Sequence, residues 1–122
     1  MRRVLLLVDD DPSVRRLLSL TLPVEGYEIV ESDGPDAVEL ARQHEPDLVF
    51  LDWRLPGARG EDLLRELKAD DAGLPVIVLT ADRAARERET ALELGADLFL
   101  TKPFSPLELI GAVERLLGSG SP

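Results

Sequence analysis

Five short apolar runs, each followed by a stretch with helical periodicity, constrain this chain more than any other feature. The runs are Val4–Val8, Tyr27–Glu31, Asp47–Leu51, Val76–Leu79 and Asp97–Leu100, and each reads as a strand. Between them side chains recur at i, i+3, i+4 and i+7: Val14, Leu17, Leu18 and Thr21; Ala37, Leu40, Ala41 and His44; Gly60, Leu63, Leu64 and Leu67. Ile110, Val113 and Leu117 continue the pattern in a last helix. Asp11–Pro12, Gly34–Pro35 and Ser105–Pro106 each set a capping residue before a proline at the first helical position. Residues 82–94 form the most weakly patterned helix, alanine-rich on its apolar face and heavily charged, and such an element is expected to move most easily. Pro23 is expected to end or kink the first helix.

Strands alternating with helices predict an α/β domain with a five-stranded parallel sheet covered on both faces. Val4–Val8, Leu48–Leu51 and Val76–Leu79 are apolar throughout, as central strands should be, whereas Tyr27–Glu31 alternates and suits an edge. Residues 1–118 read as one domain and 119–122 as a flexible tail or linker stub.

Charge and composition then remove whole classes of function. With 24 acidic against 14 basic residues the net charge is -10, which disfavours nucleic acid as a partner of this chain alone, since affinity for phosphate backbones comes mainly from Lys and Arg, and no direct nucleic acid binding is expected. There is no cysteine, so disulfides, zinc-thiolate sites and thiol catalysis are excluded. The apolar run after Arg2 and Arg3 meets Asp9, Asp10 and Asp11, too short and too acidic for a secretory leader. No run is long enough to span a membrane, and a cytoplasmic location is expected.

In open parallel sheets, sites form beyond the carboxyl ends of the strands, where the strand order reverses. The first run is followed by Asp9, Asp10 and Asp11, the third by Asp52, the fourth by Thr80, and the fifth by Lys102. If the strand order is 2-1-3-4-5, the first and third strands are neighbours, so Asp9, Asp10 and Asp52 converge, with Thr80 and Lys102 beside them. Three convergent carboxylates either raise a pKa or bind a cation. An all-oxygen donor set suits Mg²⁺ (or Mn²⁺), and a carboxylate can attack a phosphoryl group. A hydroxyl and an ammonium on neighbouring strands could hold the remaining phosphoryl oxygens.

The stretches VLLLVDDDP, VFLDWRLPG, VIVLTA and GADLFLTKPF, in that order, resemble the receiver domain of two-component response regulators over residues 2 to 117. The resemblance implies a flavodoxin-like (βα)5 three-layer sandwich with Asp52 as phosphoacceptor. It implies that Asp9, Asp10, Asp52 and the backbone carbonyl of Arg54 hold the metal, that Thr80 bonds the phosphoryl group and that Lys102 pairs with it. Phe99 falls at the family's aromatic switch position, and the Lys102–Pro103 peptide is expected to be cis. Arg54 and Asp82 occupy positions that tune phosphoryl lifetime, and their opposite charges suggest a pair across the pocket mouth. The segment near ADDAGLP is shorter than usual and predicts a tight loop.

The implied partners are a sensor histidine kinase or phosphotransfer protein, and an output domain or downstream protein. The implied switching surface comprises the fourth helix, fifth strand and fifth helix, and a phosphorylation-dependent homodimer is compatible with it. Such a chain is a signalling switch rather than an enzyme, catalysing only its own phosphorylation and dephosphorylation. Two competing readings are weaker. A phosphorylation-independent module on this fold would have lost an acidic residue or the lysine, and a dehalogenase-type phosphatase needs an Asp where Arg54 stands. No GxGxxG or Walker A pattern supports nucleotide binding. His44 is expected to pack its ring at the rim of the second helix, and Trp53 to lie partly exposed beside the pocket.

Overall fold

The computed structural model describes residues 2–23, 26–81 and 85–118. Asp82 and the tail 119–122 lie outside the described residues. The chain runs β1 (Arg3–Val8), α1 (Pro12–Thr21), β2 (Tyr27–Ser32), α2 (Ala37–His44), β3 (Leu48–Asp52), β4 (Arg54–Leu55), β5 (Ala58–Arg59), α3 (Gly60–Asp70), β6 (Val76–Thr80), α4 (Ala85–Glu93), β7 (Leu98–Thr101) and α5 (Pro106–Leu117). Strands β4 and β5 form a small antiparallel hairpin. The other five form a parallel sheet in the order β2-β1-β3-β6-β7, which is the expected 2-1-3-4-5 once the hairpin is set aside.

Strand alternation divides the core into two layers. Leu6, Val8, Val49, Leu51, Val76 and Val78 pack against Leu63, Leu64 and Leu67 of α3 and Ala91 of α4. Their sequence neighbours Leu5, Leu7, Leu48, Phe50, Ile77 and Leu79 pack on the opposite face against Val14 and Leu18 of α1 and Leu109 and Val113 of α5. Each fully enclosed Leu, Ile, Val or Phe contributes about 1.5–3 kcal/mol by leaving water, so β1, β3 and β6 are the stiffest part of the molecule.

Aspartates lock the amino ends of two strands. Asp47 Oδ2 accepts from the Val4 N–H at 2.8 Å, and Asp97 Oδ2 accepts from the Val76 N–H at 2.8 Å while Lys68 Nζ stands 3.1 Å away. The caps behave as expected at two of three helices. Asp11 accepts from Ser13 N at 2.9 Å, and Ser105 forms a reciprocal capping box with Glu108. The third expectation fails, because α2 begins at Ala37 rather than after Gly34–Pro35. The Ser32 hydroxyl accepts from Gly34 N and bonds Asp36, and Ala37 N bonds Gly34 O, so Gly34 to Asp36 make a turn before the helix starts. His44 likewise does not pack its ring; it is exposed at the end of α2. Pro23 follows Leu22, the residue that caps α1, as expected. The loop after α3 is tight, with Asp71 accepting from Gly73 N at 3.0 Å.

Candidate functional site

The five strands end at one edge of the sheet, and all but β1 end a residue later than the apolar pattern alone indicates. Asp52 is the last residue of β3 and Thr80 the last of β6, so both are set by ladder pairing rather than by a loop. Asp52 pairs with Leu79, and Thr80 pairs with Thr101 immediately before Lys102. The Lys102 N–H donates to Thr80 O at 2.7 Å, and Asp9 N donates to Ser32 O at 3.1 Å, which fixes the residues just past β7 and β1. Lys102–Pro103 is cis, as the resemblance implies.

These backbone constraints bring the acidic residues together. One carboxylate oxygen each from Asp9, Asp10 and Asp52 lies within 4.8 Å of the others. Asp9 and Asp52 are buried and Asp10 is exposed. Lys102 Nζ stands 2.8 Å from Asp9 Oδ2 and 3.5 Å from Asp52 Oδ2. Asp9 Oδ1 accepts from the Asp11 N–H at 2.9 Å, and Asp52 Oδ1 accepts from the Arg54 N–H at 3.2 Å. Asp11 itself serves as the cap of α1, and its bonds to Ser13 hold its carboxyl below the ordinary carboxylate range.

The electrostatics follow from this crowding. Burial, and then the Asp9 charge, push the Asp52 carboxyl up from an ordinary 3.8 to about 6. Burial alone would lower the Lys102 ammonium, but its bonds and charge pairing with Asp9 and Asp52 outweigh that, and its pKa lies above the ordinary lysine value. One lysine is thus shared between two buried carboxylates.

The site fits a hard divalent cation. Asp9 Oδ2 is enclosed and has no directed hydrogen bond among the described residues, although the Lys102 ammonium lies close to it. Such an oxygen, beside two more carboxylates and open to water at Asp10, is the donor set Mg²⁺ takes. The backbone of Arg54 is suitably turned. Gly60 N donates to Trp53 O, so Trp53 and Gly60 are a hydrogen-bonded pair, and the next pair, Arg54 and Arg59, is the non-bonded one. Its N–H and C=O therefore face away from the hairpin, and the N–H already meets Asp52. The Pro56–Gly57 turn that reverses the chain depends on Gly57 at φ 79.

Alternation also sorts the remaining residues by face. Asp9, Asp52 and Lys102 share the parity of the side chains on the α1 and α5 layer, while Thr80 and Phe99 share that of the α4 layer. Thr80 is fully buried. Phe99 is half-buried, pairs with Val78 in register and packs against the core on the α4 side. The Arg54 guanidinium is ion-paired with Glu87 of α4, a partner the sequence gives no reason to single out. Gly60, the first residue of the helical pattern of α3, proves to be a structural requirement. A Cβ there would stand 2.6 Å from Trp53 O and 2.8 Å from Trp53 Cα, so only glycine lets α3 start beneath the residue next to Asp52. Trp53 is half-buried beside the site, as expected.

Comparisons with known proteins agree with this geometry. A family model described as the response regulator receiver domain matches residues 5–114. The DNA-binding response regulator MtrA of Mycolicibacterium smegmatis is 43% identical over 118 residues, covering 96% of this chain and 51% of that protein. The phosphate regulon transcriptional regulatory protein PhoB of Pseudomonas aeruginosa is 37% identical, covering 98% of this chain and 54% of that protein. The chain thus spans about half the length of the curated relatives it matches. Among solved structures, the receiver domain of a sensor histidine kinase from Pseudomonas aeruginosa has a magnesium ion coordinated in its active site cleft. It matches with a TM-score of 0.84 at 31% identity, covering 98% of this chain and 100% of that one. The chemotaxis protein CheY4 of Vibrio cholerae matches with a TM-score of 0.86 at 28% identity, covering 96% of this chain and 100% of that one.

Proposed function

The chain belongs to the response regulator receiver domain family, and from that premise we propose that Asp52 is its phosphoacceptor within a two-component signalling system. The observation that carries this reading is the convergence of Asp9, Asp10 and Asp52 around Lys102 at the carboxyl edge of the sheet. An Asp52 oxygen attacks the phosphorus of a phosphohistidine on a sensor kinase or phosphotransfer protein. The phosphorus–nitrogen bond breaks, the imidazole leaves, and an aspartyl phosphate remains. Asp9, Asp10, Asp52 and the Arg54 carbonyl would hold Mg²⁺. When bound, it supplies charge neutralisation between the anionic nucleophile and the anionic donor. Lys102 pairs with the phosphoryl oxygens, and the Thr80 hydroxyl bonds another. Drawing Thr80 toward the new charge vacates space on the α4 face, and Phe99, of the same parity, turns into it. The surface of α4, β7 and α5 then changes its preference for an output domain or downstream protein.

The domain acts as a switch that catalyses only its own phosphorylation and dephosphorylation. Among the described residues no helix is long and apolar enough to cross a membrane, and cytoplasmic operation suits phosphoryl supply by a kinase. Trp53 adjoins Asp52 and gives the test. With Mg²⁺ and a small phosphodonor or beryllofluoride, its fluorescence should change in the wild type and not in Asp52→Asn. A wild type that stays silent and gains no phosphate by mass spectrometry would leave the fold as a passive interaction module.

A further inference from the structure

We propose that Glu87 is a positioning residue for the phosphoryl site: it holds the Arg54 guanidinium against α4 in the resting domain and yields it to a phosphoryl group on Asp52. This rests on the phosphoacceptor reading of Asp52. Arg54 spans two elements at once. Its backbone N–H donates to Asp52 Oδ1 at 3.2 Å, while its side chain crosses the groove between the β4–β5 hairpin and α4 to pair with Glu87. Trp53, Leu55, Gly60 and Thr90 line the same groove.

The pair is lopsided. The Arg54 side chain is 65% exposed and the Glu87 side chain only 24%. Glu87 Oε1 takes Arg54, and Oε2 is enclosed with no hydrogen-bond partner among the described residues. Glu87 therefore depends on Arg54 more than Arg54 depends on Glu87. A phosphoryl group brings a charge of about −1.5 to −2 to the residue two before Arg54, and a planar guanidinium binds such oxygens in pairs. Once Arg54 turns to it, a half-enclosed carboxylate is left without its counter-charge, a costly arrangement unless water reaches it. The first turn of α4 then has to open. Little resists this, because Ala91 is the buried residue among the described side chains of α4. A covalent event on the rigid β3 strand thereby becomes a displacement of a lightly held helix.

The test titrates beryllofluoride into the domain with Mg²⁺, following Trp53, in wild type, Glu87→Gln, Arg54→Ala and the double variant. Glu87→Gln should tighten apparent affinity by about twofold to fivefold, the range of a partly exposed charge pair. In the Arg54→Ala background the same substitution should change nothing. Affinity that is unchanged or weakened by Glu87→Gln, or tightened equally without Arg54, overturns the proposal. Silence of the wild type, or a response that survives in Asp52→Asn, overturns the phosphoacceptor reading beneath it. The tether is also read without any ligand, by amide hydrogen exchange. Arg54→Ala and Glu87→Gln should each speed exchange in α4 relative to β6, and unaltered exchange overturns the tether.

Discussion

At Asp52, burial and the neighbouring Asp9 push the carboxyl up to about 6, so at neutral pH the group is ionised in surroundings that disfavour it. Because its folded-state pKa lies above its unfolded one, protonation favours the fold. That benefit is complete below about pH 4 and is lost as the pH climbs through about 6. Asp52→Asn removes the ionisation, and should be more stable than the wild type near pH 8 by about 1–3 kcal/mol, with the difference shrinking as the pH falls toward 4. Urea unfolding of both proteins across that range without Mg²⁺ checks it, and a difference that grows toward acid pH would refute it. Exposed pairs act differently. Arg42 and Asp70 each shift in the direction that strengthens their charge, yet both are in solvent and carry little stability. Asp9, Asp10, Asp52, Thr80 and Lys102 were readable from sequence because each lies within two residues of the end of an apolar run. Glu87 was not, since one glutamate in a charged helix carries no local mark of its partner across a groove.

Among the elements, side chains that complete the sheet matter more than those that decorate it. Asp97 accepts from the Val76 N–H and from Lys68, so Asp97→Ala leaves a half-buried donor unpaired and should cost about 1–3 kcal/mol. The exposed Arg15–Glu31 pair spans 3.0 Å in open solvent, and Arg15→Ala should cost at most about 1 kcal/mol. Equal losses in chemical denaturation of the two variants would contradict this ranking. The apolar runs were enough to place the strands, because only a parallel sheet buries such runs on both faces. They placed four of the five ends a residue short, since Ser32, Asp52, Thr80 and Thr101 are polar residues kept in the ladder by their neighbours. The start of α2 was misread because its turn is closed by Ser32, which lies before the proline signal.

For the molecule as a whole, 24 acidic against 14 basic residues set a compact body of net charge -10 against itself. Raising NaCl from about 10 mM to about 0.3 M shortens the screening length from about 30 Å to below 10 Å, and should raise Tm by about 2–5 °C. A melting temperature that falls with salt would mean that the surface ion pairs outweigh the general repulsion. The strand order was legible as a whole because helices on both sheet faces and a site at the reversal point leave few arrangements. The hairpin of β4 and β5 was not, since two-residue arms leave no periodic trace.

The unequal anchoring of the two ends of this device has a consequence for noise. Asp52 sits on a strand buried along its whole length, whereas α4 rests on Ala91 among its described side chains. If α4 carries the output, the resting domain visits its signalling arrangement unprompted, at a frequency set by how weakly that helix is held. Background leak and maximal response would then be written in different parts of the sequence. Substitutions on α4 away from Glu87 would retune the threshold of the circuit and leave the side chains that meet the phosphoryl group untouched.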